Sequence, residues 1–390
     1  MSTSGRLGEL ARLFLKLGCI AFGGPAAHIA MYEDEVVRRR GWMSAEHFLD
    51  LVGATNLIPG PNSTEMTMHV GYERAGPAGL VVAGTSFILP AVLITGVLAW
   101  LYVQFGTLPA AAPFLAGIKP AVLAIILGAV WRLGRKAVKG GRVLAVGVAV
   151  LIAVLAGINE VVALLVGGVV GMLWLRLGSG RTTDGSKLMA VPLGVPSAKW
   201  AGLGTVGAGL GAAIAAAPLW KLGLFFLKVG AILYGSGYVL IAFLHGDLVA
   251  GYGWLTDQQL LDAVAIGQFT PGPVLSTATF IGYVIAGIPG AIIATVAIFL
   301  PSFFFVLILN PLIPRLRSWP WTAAFLDSIN VSALALMVAV TIELGAVVLT
   351  AWPAWAIAAL AAVLTVYFRI NAAWVVVGAA AAGWVLSVLV

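Results

Sequence analysis

Apolar positions in this chain run on without the polar interruptions that mark an amphipathic helix or a half-buried strand. Ala78 to Gln104, Gly202 to Trp220 and Ile288 to Asn310 hold few or no charges, and each meets the length of about 20 residues that a helix needs to cross hydrocarbon. A membrane barrel would instead alternate apolar and polar positions over about 10 residues per strand. The pattern therefore predicts an all-α polytopic membrane protein. Composition agrees, since 61% of the residues are hydrophobic and 9% charged, against roughly 45–50% and 25% in a soluble domain.

The runs fall into two homologous halves. Phe14-Leu15-Lys16-Leu17-Gly18 recurs as Phe226-Leu227-Lys228-Val229-Gly230, Gly41-Trp42 as Gly253-Trp254, and Pro59-Gly60-Pro61 as Pro271-Gly272-Pro273, all at the 212-residue offset between Phe14 and Phe226. After a one-residue slip, Gly71-Tyr72 matches Gly282-Tyr283 and Leu89-Pro90 matches Leu300-Pro301. A repeat that keeps register in this way sets the architecture before any local motif is weighed. The expected organisation is a first transmembrane repeat over 1–177, a cytoplasmic linker over 178–200, and a second repeat over 201–390 that opens with a connecting span at 201–220.

Charge gives orientation. The net charge of +7 would suit nucleic-acid binding if it were clustered on a soluble face, but the cations sit in short loops between apolar runs, as in cytoplasmic loops of membrane proteins. These are Arg38 to Arg40, Arg132 to Arg142, the linker, Arg315 with Arg317, and Arg369. The counterparts His245 to Gly253 and Glu343 to Trp352 carry no Lys or Arg. Equivalent loops are thus expected on opposite sides, an inverted-topology repeat of the kind that places a transport site near the midplane between the halves. Breaks at Phe22 to Pro25 and Tyr234 to Gly237 are expected to divide the first element of each half. The first apolar stretch lacks a small-residue cleavage site and reads as retained. One cysteine, Cys19, and four scattered histidines imply neither a disulfide nor a metal site.

The duplicated Pro-Gly-Pro carries the most chemistry. Proline fixes φ, lacks an amide proton and favours the first turn of a helix, so a helix is expected to end before each motif and another to start after it. The amphipathic segments Ser44 to Leu57 and Thr256 to Phe269 precede the motifs, and Thr256 with Gln259 reads as a capping box. The segments that follow, from Asn62 and Val274, are too short to span alone, which predicts re-entrant pairs. Helix starts after Pro61 and Pro273 present free amides and a positive dipole end. Asn62, Ser63 and Thr64 in one half, and Ser276 and Thr277 in the other, add side-chain donors suited to an oxyanion. Asn56 and Gln268 stand at matched positions before the motifs and join that candidate substrate-binding set.

Lys16 and Lys228, matched inside apolar runs, and Lys119 are candidate substrate-binding cations, because an intramembrane charge is costly enough to need a reason. Snorkelling to headgroups is the competing reading for Lys16 and Lys228, and simple pairing that for Lys119. Glu65 and His69 share one helix face. Together with Asp327 they are the proton-coupling candidates, with ion pairing to Lys119 or Arg74 as the alternative. The matched Asp50 and Asp262 fall on polar helix faces, where a solvated or capping role is expected. Nucleophile patterns and phosphate or nucleotide loops are absent, so the chain does not read as an enzyme and no cofactor is implied.

The strings Phe22-Gly23-Gly24-Pro25 with His28, Gly41-Trp42-Met43-Ser44, Asn56-Leu57-Ile58-Pro59-Gly60-Pro61-Asn62-Ser63-Thr64 and Phe87-Ile88-Leu89-Pro90 resemble the chromate ion transporter family. The second-half versions, ending in Phe299-Leu300-Pro301, look like its duplicated long-chain form. Where the family has Phe-Gly-Gly-Gly, this chain has Tyr234-Gly235-Ser236-Gly237. The resemblance implies export of chromate, a tetrahedral dianion similar to sulfate, across the bacterial inner membrane, driven by the proton motive force. Residues alone reach only an oxyanion transporter. A sulfate permease and an anion channel, the latter needing a continuous wet pore, are the rival readings. Gly-rich spans suit close packing within one protomer or between two, so a monomer and a homodimer both stay open.

Overall fold

The computed structural model describes residues 3–22, 25–55, 58–106, 112–177, 219–234, 239–310, 320–368 and 370–389. The linker at 178–200, most of the connecting span at 201–220, Asn56, and Arg315, Arg317 and Arg369 lie outside the described residues. Among those described there is helix and no strand.

In the first half, α1 (Thr3–Ile20) stops before the break and α2 (Pro25–Tyr32) resumes, running on in π-helical turns to Arg39. Then come α3 (Ala45–Thr55), α4 (Asn62–Phe105), α5 (Ala112–Ala137), α6 (Gly141–Leu155) and α7 (Glu160–Leu177). The second half repeats the order as α8 (Leu219–Ile232), α9 (Leu240–Phe243, continued in π-helical turns to Gly251), α10 (Asp257–Phe269), α11 (Thr277–Leu309), α12 (Pro320–Val348), α13 (Trp352–Ala362) and α14 (Ala372–Leu389). The capping box at the start of α10 is present: Thr256 Oγ1 accepts from the Gln259 amide at 3.2 Å, and Gln259 Oε1 accepts from the Thr256 amide at 2.9 Å.

The repeat extends to backbone angles. Within α4 the chain folds back at Ala75 (φ −149, ψ 26) and Gly76 (φ 63, ψ −153), and within α11 at Ala286 (φ −145, ψ 25) and Gly287 (φ 62, ψ −151). The second position of each turn needs positive φ, which glycine adopts without steric cost. Each fold-back makes a hairpin of a short and a long helix, drawn together until a Cβ on Gly71 or Gly282 would stand 2.3 Å from the carbonyl oxygen of Gly79 or Gly290.

Five helical stretches among the described residues are long and apolar enough to cross a membrane. Leu93, Val97 and Trp100 on α4, and Ile288, Ile292 and Val296 on α11, are exposed, a stripe that fits lipid and not water. Packing is exchanged between the halves. α1 lies on α4 as α8 lies on α11, but α5 packs against α13 and α14 of the other half, and α12 against α6 and α7. With α4 also on α11 and α5 on α12, the halves interlock instead of meeting at one flat face. One exchange is unmatched: α10 packs on α5, while α3 makes no comparable contact with α12.

Candidate functional site

Each Pro-Gly-Pro turn is tied to the broken element of the other half. The Gly60 amide donates to the Leu233 carbonyl at 2.7 Å, and the Gly272 amide donates to the Ala21 carbonyl at 2.9 Å. Leu233 and Ala21 are themselves repeat counterparts at the ends of α8 and α1. His28 Nε2 also lies 2.9 Å from the Ala21 oxygen, which fixes Nε2 as its protonated nitrogen. His28 sits against Phe87, with ring centroids 5.6 Å apart. Unpaired backbone at membrane depth is tolerated only beside protein or a wet cavity, and these crossed bonds satisfy part of that demand while holding both turns at the meeting of the halves.

Around this frame the two turns differ in chemistry. At the first, Ser63, Thr64 and Glu65 are buried in the opening turn of α4, and the Glu65 side chain bends back over Gly60. A Cβ on Gly60 would stand 2.1 Å from Glu65 Oε1 and 2.4 Å from Ser302 Oγ. The Ser302 hydroxyl thus stands beside the carboxylate, and among the described residues neither it nor either carboxylate oxygen makes a well-formed hydrogen bond. A carboxylate so placed costs roughly 3 kcal/mol or more in a bilayer. One turn along α4, His69 is buried with Nδ1 2.7 Å from Asn310 Oδ1, and its Nε2 has no partner. At the second turn the described polar side chains are hydroxyls and one amide, with no carboxylate counterpart of Glu65: Thr95 Oγ1 lies 3.2 Å from Ser276 Oγ and 3.5 Å from Thr270 Oγ1, with Thr277 and Gln268 buried nearby in sequence.

The sequence model described as chromate transporter matches the chain twice, over residues 8–172 and 220–384. The chain belongs to the chromate transporter family. It is 34% identical to a chromate transport protein of Pseudomonas aeruginosa over 97% of this chain and 92% of that one. It is 31% identical to a chromate transport protein of Cupriavidus metallidurans, over 97% and 93%. A probable chromate transport protein of Synechococcus elongatus is 30% identical over 87% of this chain and 84% of its own length. No solved structure matches. The family match together with the long apolar helices indicates a multi-pass membrane protein, and the matched domain occurs twice in the chain.

In this chromate-transporter chain the remaining predicted residues scatter. Lys16 pairs with Glu35 at 3.1 Å, and Lys228 pairs with Asp247, the repeat counterpart of Glu35. Both lysines keep large exposed areas, so each reads as a half-exposed ion pair. Burial opposes charge on Glu35, but Lys16 and Arg40 outweigh it and hold that carboxyl below the usual carboxylate range. Asp327 pairs with Lys139 at 2.7 Å, and Arg74 with Glu9 at 3.1 Å, so Asp327 makes neither of the pairings, with Lys119 or with Arg74, that the sequence left open. Lys119 acts electrostatically on Asp262.

Asp262 corrects an expectation. Read as solvated or capping, it is 3% exposed, and the Tyr102 hydroxyl donates to its Oδ2 at 2.9 Å. Tyr102 comes from α4, and α10 also packs against α5 and α11, so a side chain read as solvated is enclosed. The side chain of its counterpart Asp50 lies outside the described residues. Residues missed by the sequence reading are Ser302, Thr95, Tyr102, Ala21 and Leu233. For the first two a signal existed: their repeat counterparts are Ala91 and Val306, so a position-by-position comparison of the halves flags a polar group in only one of them.

Proposed function

We propose that the protein is a secondary active transporter that exports chromate across the inner membrane of a bacterium, coupled to protons, with the oxyanion held between two inverted repeats. The observation that carries this reading is the pair of crossed hydrogen bonds from Gly60 and Gly272, because it brings two helix starts, each rich in donors, to one interface. The anion is bound by the amides and side chains of Asn62 to Thr64 beyond Pro61 and of Ser276 and Thr277 beyond Pro273, with Asn56 and Gln268 beside them. Lys16, Lys228 and Lys119 flank its path, and Glu65 with His69 handles the proton. Asp327, already committed to Lys139, is the weaker proton candidate.

Inversion is supported by how charges meet. His245 and Glu343 stand in the two cation-free loops read as lying on the same, outer side, and they lie 3.1 Å apart. Lys139, from a loop read as cytoplasmic, reaches Asp327 and neither of those two. Glu343 occupies the repeat position of Arg132, as the positive-inside rule requires of equivalent loops on opposite sides. Export is tested with inverted membrane vesicles, which turn it into uptake. Energy-dependent chromate uptake suppressed by excess sulfate supports the reading. Sulfate movement without chromate uptake would make the chain a sulfate permease, and large single-pore currents would make it a channel.

A further inference from the structure

We propose that the Glu65 carboxylate is a tethered competitor of the transported oxyanion, occupying the seat in front of the first Pro-Gly-Pro helix when ionised and leaving it to the anion when protonated. This rests on the oxyanion site described above and adds the physical link between anion and proton.

Three observations meet here. The seat is the opening turn of a long helix, whose dipole favours negative charge; the Thr64 and Glu65 amides there donate to the Pro61 carbonyl at 2.8 and 3.0 Å, so the hydroxyls and the dipole are what the seat offers. Converging on it are polar groups that are fully or almost fully buried and have no hydrogen-bond partner among the described residues: both oxygens of Glu65, the Ser302 hydroxyl and the Thr64 hydroxyl. Buried groups left unpaired in this way call for a ligand or a function. Finally, the space is kept open by Gly60, where a Cβ would collide with Glu65 Oε1 at 2.1 Å.

The fold does not require a carboxylate at that place. Counted from the shared Pro-Gly-Pro, the counterpart of Glu65 is Thr277, whose hydroxyl is spent on the Val274 carbonyl at 2.8 Å. The counterpart of Ser302 is Ala91, which lies 3.0 Å from where a Cβ on Gly272 would be. One turn in two therefore carries its own anion, and the other is free of it.

The ionisable groups facing Glu65 leave it without a permanent counter-charge. His69 lies one turn on along the same helix, and Tyr234 faces it from the end of α8. On α1, α2 and α3, Lys16 is paired with Glu35, His28 with the Ala21 carbonyl and His47 with Glu73. On α10, Asp262 is bonded to Tyr102, and α11 contains no Asp, Glu, His, Lys or Arg. With no unpaired cation facing Glu65 among the described residues, carboxylate and oxyanion repel each other, so binding an anion requires Glu65 to be protonated. By linkage, protons and anion then favour each other's binding to the same extent.

The test is radiolabelled sulfate binding to the purified full-length protein in lipid nanodiscs, since sulfate stays a dianion from mildly acidic to mildly alkaline pH. Wild-type affinity should weaken as pH rises, by up to about tenfold per pH unit. Glu65→Gln should bind at least as tightly as the wild type at acidic pH and lose the pH dependence, whereas His47→Gln, at a histidine outside the site that pairs with Glu73, should keep it. An unchanged slope in Glu65→Gln, or a slope lost equally in His47→Gln, overturns the proposal. Proton uptake by the unmodified protein on sulfate addition, followed with an indicator dye, gives a second reading free of any folding defect; uptake near zero at the pH values where wild-type affinity falls also overturns it. If the wild type binds neither sulfate nor chromate at any pH, the oxyanion site itself fails.

Discussion

The amide of Gly60 reaches across the repeat boundary to the carbonyl of Leu233, 2.7 Å away, and the same bond is made in reverse by Gly272 and Ala21. Both glycines have positive φ, 145° and 91°, so replacing either by alanine carries backbone strain of about 1–3 kcal/mol. The two substitutions differ in what the new methyl meets. At Gly60 it meets the Glu65 carboxylate at 2.1 Å, and at Gly272 the Ala91 methyl at 3.0 Å. Gly60→Ala should therefore cut chromate transport more deeply than Gly272→Ala at similar levels of folded protein. Equal losses in a vesicle assay would mean that backbone strain alone matters.

The hairpins give a test of equivalence. A Cβ on Gly71 or Gly282 faces a backbone carbonyl at 2.3 Å, and backbone cannot yield as a side-chain tip can. Gly71→Ala and Gly282→Ala should each destabilise the protein by about 1–3 kcal/mol or more, and by similar amounts. Thermal unfolding in detergent measures both; a loss confined to one would show that the hairpins are not under the same constraint.

Lys16 and Lys228 are each held by a carboxylate at the matched position, Glu35 and Asp247. If the lysines serve the anion, removing lysine and removing its partner act in opposite directions. Lys16→Ala and Lys228→Ala should weaken oxyanion transport by about tenfold, the worth of one charge-assisted bond, with insertion intact. Glu35→Gln should leave transport at the wild-type level or raise apparent affinity. Since the Glu35 carboxyl titrates below the usual range, the pair persists from neutral into mildly acidic pH, so this difference should stay constant there. A Glu35→Gln variant as weak as Lys16→Ala would assign the lysine to the fold.

Much of this architecture is visible in the sequence because it depends on local rules. Apolar runs report span length, proline and glycine report where helices stop, and Thr256 with Gln259 reports a cap. What the sequence leaves open is which surfaces meet. Asp262 lies on a face of α10 that is polar by pattern, and only tertiary packing, with Tyr102 of α4 bonded to it and α5 against the same helix, turns it inward. Ala21 and Leu233 contribute through their carbonyls, which every residue has, so no side-chain signal marks them. Glu65 and His69 were legible as a helix-face pair, but the partner that completes the setting of Glu65, Ser302, comes from the other half.

The cluster of Asp262, Tyr102 and Lys119 separates a structural lysine from one that meets the anion. Removing the Tyr102 hydroxyl leaves Asp262, whose Oδ1 already lacks a partner, with both oxygens unpaired, so Tyr102→Phe should cost about 1–3 kcal/mol of stability. Lys119 is half-buried and acts on the buried Asp262 at longer range than an ion pair; removing one of two opposed charges leaves the other uncompensated, whereas removing both is often nearly neutral. Lys119→Met and Asp262→Asn should therefore each lower thermal stability, and the double variant should recover most of it. Transport then decides the role of Lys119. If the lysine contacts the oxyanion, the recovered double variant stays inactive, because stability returns and the cation does not. Recovery of chromate uptake together with stability would confine Lys119 to pairing with Asp262 and leave the helix starts and Lys16 and Lys228 as the anion's partners.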